Sequence, residues 1–258
     1  MRSDPTAIVT GGAGGIGQAI CVELARRGAS IVVADLDETE MQETKDRVEA
    51  IGQRCLVVET NVASAQSVAE TVERTLDEFD TIDYLINNAG IAGPTAPCEE
   101  VTTQEWEQTL AVNLNGPFQM CREILPHMKQ NSFGRIVNIA SVTGKRPLPN
   151  RTPYATSKMG LIGLTRTLAA EVGEANINVN AICPGSVDGP RIKRVFERHA
   201  AQTGQSYEDV RGESEREAAR GELVRREDVA DLVGFLCSED SERITGQDIN
   251  VSAGKVMY

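Results

Sequence analysis

Thr10-Gly11-Gly12-Ala13-Gly14-Gly15-Ile16-Gly17 follows a short apolar run, Ala7-Ile8-Val9, and opens an amphipathic stretch at 15–27. A strand, then a glycine-rich turn, then a helix is the context in which a turn holds phosphate. Bare backbone approaches the anion there, and the helix N-terminus faces it. Gly11 permits the tight turn, Gly15 lets the backbone approach a pyrophosphate, and Gly17 lets the helix pack closely on the sheet. Gly14 and Ile16 complete the cradle. Glycines in a turn are often only a turn, so the reading depends on what surrounds them.

Outward from this turn the chain keeps one rhythm. Ile31-Val32-Val33, Leu56-Val57-Val58, Tyr84-Leu85-Ile86, Ile136-Val137-Asn138-Ile139, Ile177-Asn178-Val179 and Ile249-Asn250-Val251 read as further strands. Helical patterns lie between them at 38–51, 64–79, 103–129, 152–173 and 226–237. Strand and helix in alternation mean parallel strands joined by crossovers. The prediction is an α/β Rossmann fold, a doubly wound parallel sheet of about seven strands with helices on both faces. At 258 residues, with no repeat and no linker, residues 1–258 are expected to form one domain. In such sheets ligands bind beyond the carboxyl ends of the strands, and the turn sits at one of those ends. The polar, Arg- and Glu-rich stretch at 186–222 breaks the rhythm, and it is expected to be a lid or substrate-binding loop.

Asp35 ends the second strand, where a carboxylate can accept hydrogen bonds from an adenosine ribose. It would repel a 2′-phosphate, and Leu36 beside it offers no compensating cation, so NAD is expected in preference to NADP. Asp35 and Asp37 could also simply end a strand and cap a helix; the glycine turn favours the cofactor reading. Asn61-Val62 after the third strand and Asn87-Asn88-Ala89-Gly90 after the fourth are placed to border the adenine and its ribose. Asparagines at strand ends also occur because they satisfy turn backbone.

The composition narrows the function classes. A formal net charge of −12 argues against nucleic acid, which needs a basic footprint. No apolar stretch is long enough to span a membrane, and none precedes the first strand as a signal segment. Cys21, Cys55, Cys98, Cys121, Cys183 and Cys237 lack metal spacing and read as reduced core thiols of a cytoplasmic protein. His127 and His199 lie far apart without partner ligands, so no metal site is expected.

Tyr154 stands four residues before Lys158 in a helical pattern, which puts both on one helix face, with Ser141 upstream. Making a phenolate at neutral pH costs roughly 4 kcal/mol, and an ammonium at about 4 Å in a partly desolvated cleft offsets about that much. A tyrosine so placed becomes a usable base.

The ordered set Thr10 to Gly17, Asn87 to Gly90, Asn113, Ser141, Tyr154-Ala155-Thr156-Ser157-Lys158 and Pro184-Gly185 resembles the classical short-chain dehydrogenase/reductase family over essentially the whole chain. The resemblance implies hydride transfer between a carbinol or carbonyl carbon and nicotinamide, with no metal. It implies that Tyr154 exchanges the proton and Ser141 steadies the substrate oxygen. Lys158 would lower the Tyr154 pKa and bind the nicotinamide ribose, and Asn113 would hold a water leading to solvent. Pro184, Gly185 and Val187 would border the nicotinamide. The chain departs from the family pattern at Asn61, more often aspartate, and at Gly189, often threonine, which leaves the carboxamide contact open.

Lys145, Arg146, Arg151, Arg191, Lys193, Arg194 and Arg198 make the neighbourhood of the site basic. Guanidinium forks match carboxylate, sulfonate or phosphate oxygens, and Arg151 and Arg191 are the first candidates for an anionic substrate end. Solvation is the alternative, with Arg194 and Arg198 in helical pairs to Glu197 and other acidic neighbours. The C-terminal run Thr245 to Val251 and Val256-Met257-Tyr258 resembles sorbitol-6-phosphate and related polyol dehydrogenases of the family. The expected reaction is therefore NAD-dependent oxidation of a sugar, sugar alcohol or anionic sugar derivative. The competing readings are an NADH-dependent ketoreductase of fatty-acid or secondary metabolism and a non-catalytic dinucleotide sensor. The resemblance further implies a homotetramer, paired through 103–129 and 152–173.

Overall fold

Every residue of the first strand, Thr6–Thr10 (β1), is buried. Burial on both faces is what a central strand of a parallel sheet requires, and it explains the continuous β-branched run. In the computed structural model, which describes residues 4–258, β1 pairs in parallel with Ser30–Asp35 (β2) and with Tyr84–Asn87 (β4). Cys55–Glu59 (β3), Gly134–Ile139 (β5), Ile177–Pro184 (β6) and Asp248–Val251 (β7) complete a seven-stranded parallel sheet in the order β3-β2-β1-β4-β5-β6-β7. The strand order reverses between β1 and β4, and the crevice at that switch lies beside the glycine turn.

Alternate side chains of each strand feed two cores. Val9, Ile31, Val33 and Ile86 pack against Ile20 and Leu24 of Gly15–Arg26 (α1), with Met41 and Val48 of Glu38–Glu49 (α2). Ile8, Val32, Leu85 and Ile136 face the other way, against Val68 and Val72 of Ala65–Phe79 (α3). Burying one such side chain fully contributes roughly 1.5–3 kcal/mol, so the two faces together hold the sheet flanked by helices.

The predicted helix at 103–129 is two helices: Thr103–Leu110 (α4) and Gly116–Gln130 (α5), joined by a π-turn at Ala111–Asn115. The apolar pattern continues across the join, so the sequence did not show the widened turn. Thr152–Val172 (α6) is one helix, with Pro153 in its first turn and Lys158 on its buried side. The stretch read as a polar loop at 186–222 is mostly helical, Pro190–Thr203 (α7) and Tyr207–Arg216 (α8), followed by Arg226–Leu236 (α9). Phe196 and Ala200 of α7 pack on Val210 of α8, a small satellite core, and a Ser206–Asp209 capping box starts α8. Among the described residues no helix is long and apolar enough to cross a membrane.

Candidate active site

The glycine turn is braced from two sides. Asn88 Nδ2 donates to the Thr10 and Gly11 carbonyls at 3.0 and 2.8 Å, and Thr10 Oγ1 accepts from the Asn88 and Ala89 amides. Asp35 Oδ2 accepts from the Ala13 amide at 3.0 Å and Oδ1 from the Leu36 amide at 2.7 Å. Its carboxylate thus lies against the turn, with lone pairs left for further donors. Asp37, by contrast, is the cap of α2, accepting from the Glu40 amide. Gly15 has φ +56° and open space where a side chain would begin, and a Cβ at Gly17 would collide with the Gly11 carbonyl. A backbone that bare, at a helix N-terminus, fits a dinucleotide pyrophosphate.

Other residues of the predicted cofactor site are held more tightly than the sequence suggested. Asn61 Oδ1 accepts from the Ala63 amide, closing its own turn, so that amide oxygen is already used locally. Val62 is buried against Gly116. Gly90 sits where a Cβ would lie 3.1 Å from Asn113 Oδ1 and 3.6 Å from Lys158 Nζ. The Gly185 amide donates to the Val251 carbonyl, and Val187 forms a parallel bridge with Val224. Gly189, where the family often has threonine, is the N-cap of α7 and brings no side chain.

Tyr154 lies in the first turn of α6, half-buried, with Lys158 one turn on. The helix N-terminus itself favours negative charge there. Lys158 is 3% exposed, and its Nζ donates to the Ile139 carbonyl at 2.8 Å, which leaves two donors free. Its Nζ lies 5.9 Å from the Tyr154 ring centroid. The ring also has the Arg151 guanidinium at 5.0 Å and that of Arg191 at 5.9 Å. Burial pushes the phenol up, but Arg191, Lys158, hydrogen bonding from Ser141 and Arg151 outweigh it and leave its pKa below the ordinary tyrosine value. Burial likewise lowers the Lys158 ammonium, against the pull of the phenol. One cation was expected beside the phenol; the structure supplies three.

Ser141 Oγ accepts from the Thr143 amide at 3.1 Å, and its hydroxyl lies beside the Tyr154 phenol, where both can meet one substrate oxygen. Asn113, wholly buried in the π-turn, is spent on backbone: Oδ1 accepts from the Ile91 amide, and Nδ2 donates to the Ile91 carbonyl and to Ser157 Oγ. Ser157, passed over in the sequence, links Asn113 to the Tyr154 carbonyl.

The basic residues divide. Lys145 pairs with Asp248 at 2.8 Å and Arg146 with Glu217 at 3.2 Å, so both hold the C-terminal segments together. Glu197 pairs with Lys193, not with Arg194 or Arg198 as expected. Arg151 is 5% exposed and donates to Ala92 and Thr95, so part of its fork is taken by the loop after β4. Cys98 is exposed and Cys55 half-buried, which corrects the reading of all six thiols as core; the other four are buried.

The short chain dehydrogenase family model matches residues 5–200. The (2S)-[(R)-hydroxy(phenyl)methyl]succinyl-CoA dehydrogenase subunit BbsD of Thauera aromatica is 33% identical over 252 residues, 98% of this chain and 96% of that one. Among solved structures, NAD+-bound xylitol dehydrogenase superposes with a TM-score of 0.95 at 29% identity, covering 98% of this chain and 100% of that one. A single-substitution variant of actinorhodin polyketide ketoreductase with NADPH gives 0.96 at 29% identity, covering 100% and 99%. With the parallel sheet, the glycine turn and the Tyr-Lys helix all in place, the chain belongs to the short-chain dehydrogenase family and is an oxidoreductase of alcohol or ketone substrates.

Proposed function

We propose that this protein is an NAD-dependent dehydrogenase that oxidises a secondary hydroxyl of a small polyhydroxylated molecule, a sugar, sugar alcohol or sugar-derived anion. The observation that carries it is a half-buried phenol at the mouth of the sheet, ringed by Lys158, Arg151 and Arg191 and lying beside Ser141. Tyr154 takes the hydroxyl proton, Ser141 donates to the same oxygen, and the cations hold the phenolate form. Lys158's remaining donors suit the nicotinamide ribose. A bound nicotinamide would supply the acceptor for the carbinol hydride, the balanced change being alcohol and NAD to ketone, NADH and a proton.

The preference for NAD is supported by Asp35, fixed against the turn by Ala13, with the exposed Leu36 beside it. A 2′-phosphate there would meet a carboxylate and no cation. Gly11, Gly14, Gly15, Ile16 and Gly17 would carry the pyrophosphate, and Val62, Asn88, Ala89 and Gly90 would border the adenosine. The polyol reading is supported by the likeness to xylitol dehydrogenase. The likeness to a polyketide ketoreductase favours a second reading, reduction of a keto group. We also place the protein in the cytoplasm as a homotetramer, which would cover Phe118 on α5 and Met159 on α6, 48% and 55% exposed in one chain.

NADH absorbance with a panel of alditols, aldoses, aldonates and simple secondary alcohols, under NAD and NADP, tests the proposal. Turnover of polyhydroxylated substrates with NAD supports it. Turnover confined to ketoacyl thioesters with NADPH would give the site to the second reading.

A further inference from the structure

Helix α7 has two working faces. Phe196 and Ala200 sit on one, packed with Val210, and Ile192 joins them. Arg191 and Arg198, two turns apart, share another face with Gln202, whose Nε2 donates to the Thr95 carbonyl at 2.8 Å. Arg151 reaches the same loop from below, through Ala92 and Thr95. Arg151 and Arg191 both stand over the Tyr154 ring.

Among the described residues none of these three guanidiniums is paired with a carboxylate, in a chain of net charge −12 that pairs Lys145, Arg146 and Arg211 with acids. Burial disfavours the charge of Arg151, the Tyr154 phenol favours it, and Arg191 and Arg198 push against it. Arg151 is 5% exposed, and its Nε has no hydrogen-bond partner. The N-terminus of α7 adds to the positive field, since it has neither a side-chain cap nor an acidic residue in its first turn. Arg151 is buried while Arg191 and Arg198 are exposed, and an anion held between the three would gain charge-assisted hydrogen bonds from one fixed and two adjustable forks.

We propose that Arg151, Arg191 and Arg198 seat an oxyanion carried by the substrate itself, a carboxylate or phosphate a few bonds from the reacting carbinol. This rests on the dehydrogenase reading above and narrows its substrate class. The substrate is the fitting carrier, because the bare glycine turn at Gly11–Gly17 suits the cofactor phosphates whereas Arg151 and Arg191 face the phenol. The anion must be close to the carbinol, because the Arg151 and Arg191 guanidiniums lie 5.0 and 5.9 Å from the ring that takes the proton.

The test compares matched pairs: aldonate with alditol, 3-hydroxybutyrate with its methyl ester, and polyol phosphate with polyol. One acid class should exceed its neutral partner in kcat/KM by about tenfold or more, the scale of one charge-assisted contact. Arg191→Gln and Arg198→Gln should cut that ratio by a similar factor through KM of the acid, and Arg191→Lys should recover part of it. The preferred pair assigns carboxylate or phosphate. Equal rates for every pair in the wild type, or a ratio unmoved in both variants, overturns the seat while leaving a dehydrogenase of neutral alcohols. Calorimetric titration of the same acids into the protein with NADH gives a readout without turnover. Arg191-dependent binding with no oxidation of any alcohol would keep the seat and remove the dehydrogenase reading.

Discussion

Replacing Arg191 by Gln removes one positive charge 5.9 Å from the Tyr154 ring and leaves Lys158, at the same distance, in place. Coulomb's law at that separation gives about 2.8 kcal/mol for an effective dielectric near 20, and about 0.7 kcal/mol in water. Arg191 is exposed and partly screened, so its contribution falls between the two figures. The sign follows from the chemistry. A cation favours the phenolate, so the wild-type phenol titrates low, and removing the charge raises its pKa. The assay is the pH profile of kcat/KM for oxidation of a neutral secondary alcohol with NAD, which rises as the base form appears. Its acid limb should move to higher pH in Arg191→Gln, and high salt should move the wild-type limb the same way. An acid limb that stays in place in the variant refutes the idea that α7 helps to set the phenol.

Asp35→Ser should raise kcat/KM with NADP relative to NAD by about tenfold or more, since it removes a charge repelling the 2′-phosphate; steady-state kinetics with both cofactors checks this. Asn113→Ala strips the Ile91 amide and carbonyl of their side-chain partners, and chemical denaturation should show a loss of about 1–3 kcal/mol. Leu85→Ala, at the centre of the sheet, should cost about 2–5 kcal/mol in the same assay without changing cofactor preference. Burial opposes ionisation of Asp248, yet Lys145 and Arg166 hold its carboxyl below the usual range. The stability this gives is present above the unfolded carboxylate pKa and is lost as pH falls through the lower folded value. Asp248→Asn should therefore flatten the acid side of a plot of Tm against pH.

What could be read from the sequence was whatever depends on period and order. β-Branched runs such as Ile31-Val32-Val33 identified the strands, and strict alternation identified the parallel sheet, because a fully buried strand must be apolar on both faces. The glycine turn and the Tyr154–Lys158 spacing were legible because each follows from local helix or turn geometry. The break at Ala111–Asn115 was not, since a π-turn shifts register without changing composition. The 186–222 segment hid two helices because their buried stripe is only a few residues wide, Phe196, Ala200 and Val210, in otherwise polar sequence. Nor could sequence separate Arg151 from Lys145 and Arg146. All three lie between Ser141 and Tyr154, and only tertiary placement gives the latter two acidic partners from the C-terminal third and leaves Arg151 over the phenol.

Everything in the catalytic reading turns on Tyr154 giving up its proton below the ordinary value for a phenol. The chain has 4 tyrosines, so a near-ultraviolet titration of tyrosinate absorbance, wild type against Tyr154→Phe, isolates this one. The wild type should show a transition that falls below about pH 10, coincides with the acid limb of turnover, and vanishes in the variant together with activity. Identical titration curves for the two proteins, or a Tyr154→Phe enzyme that still oxidises alcohols, would contradict it.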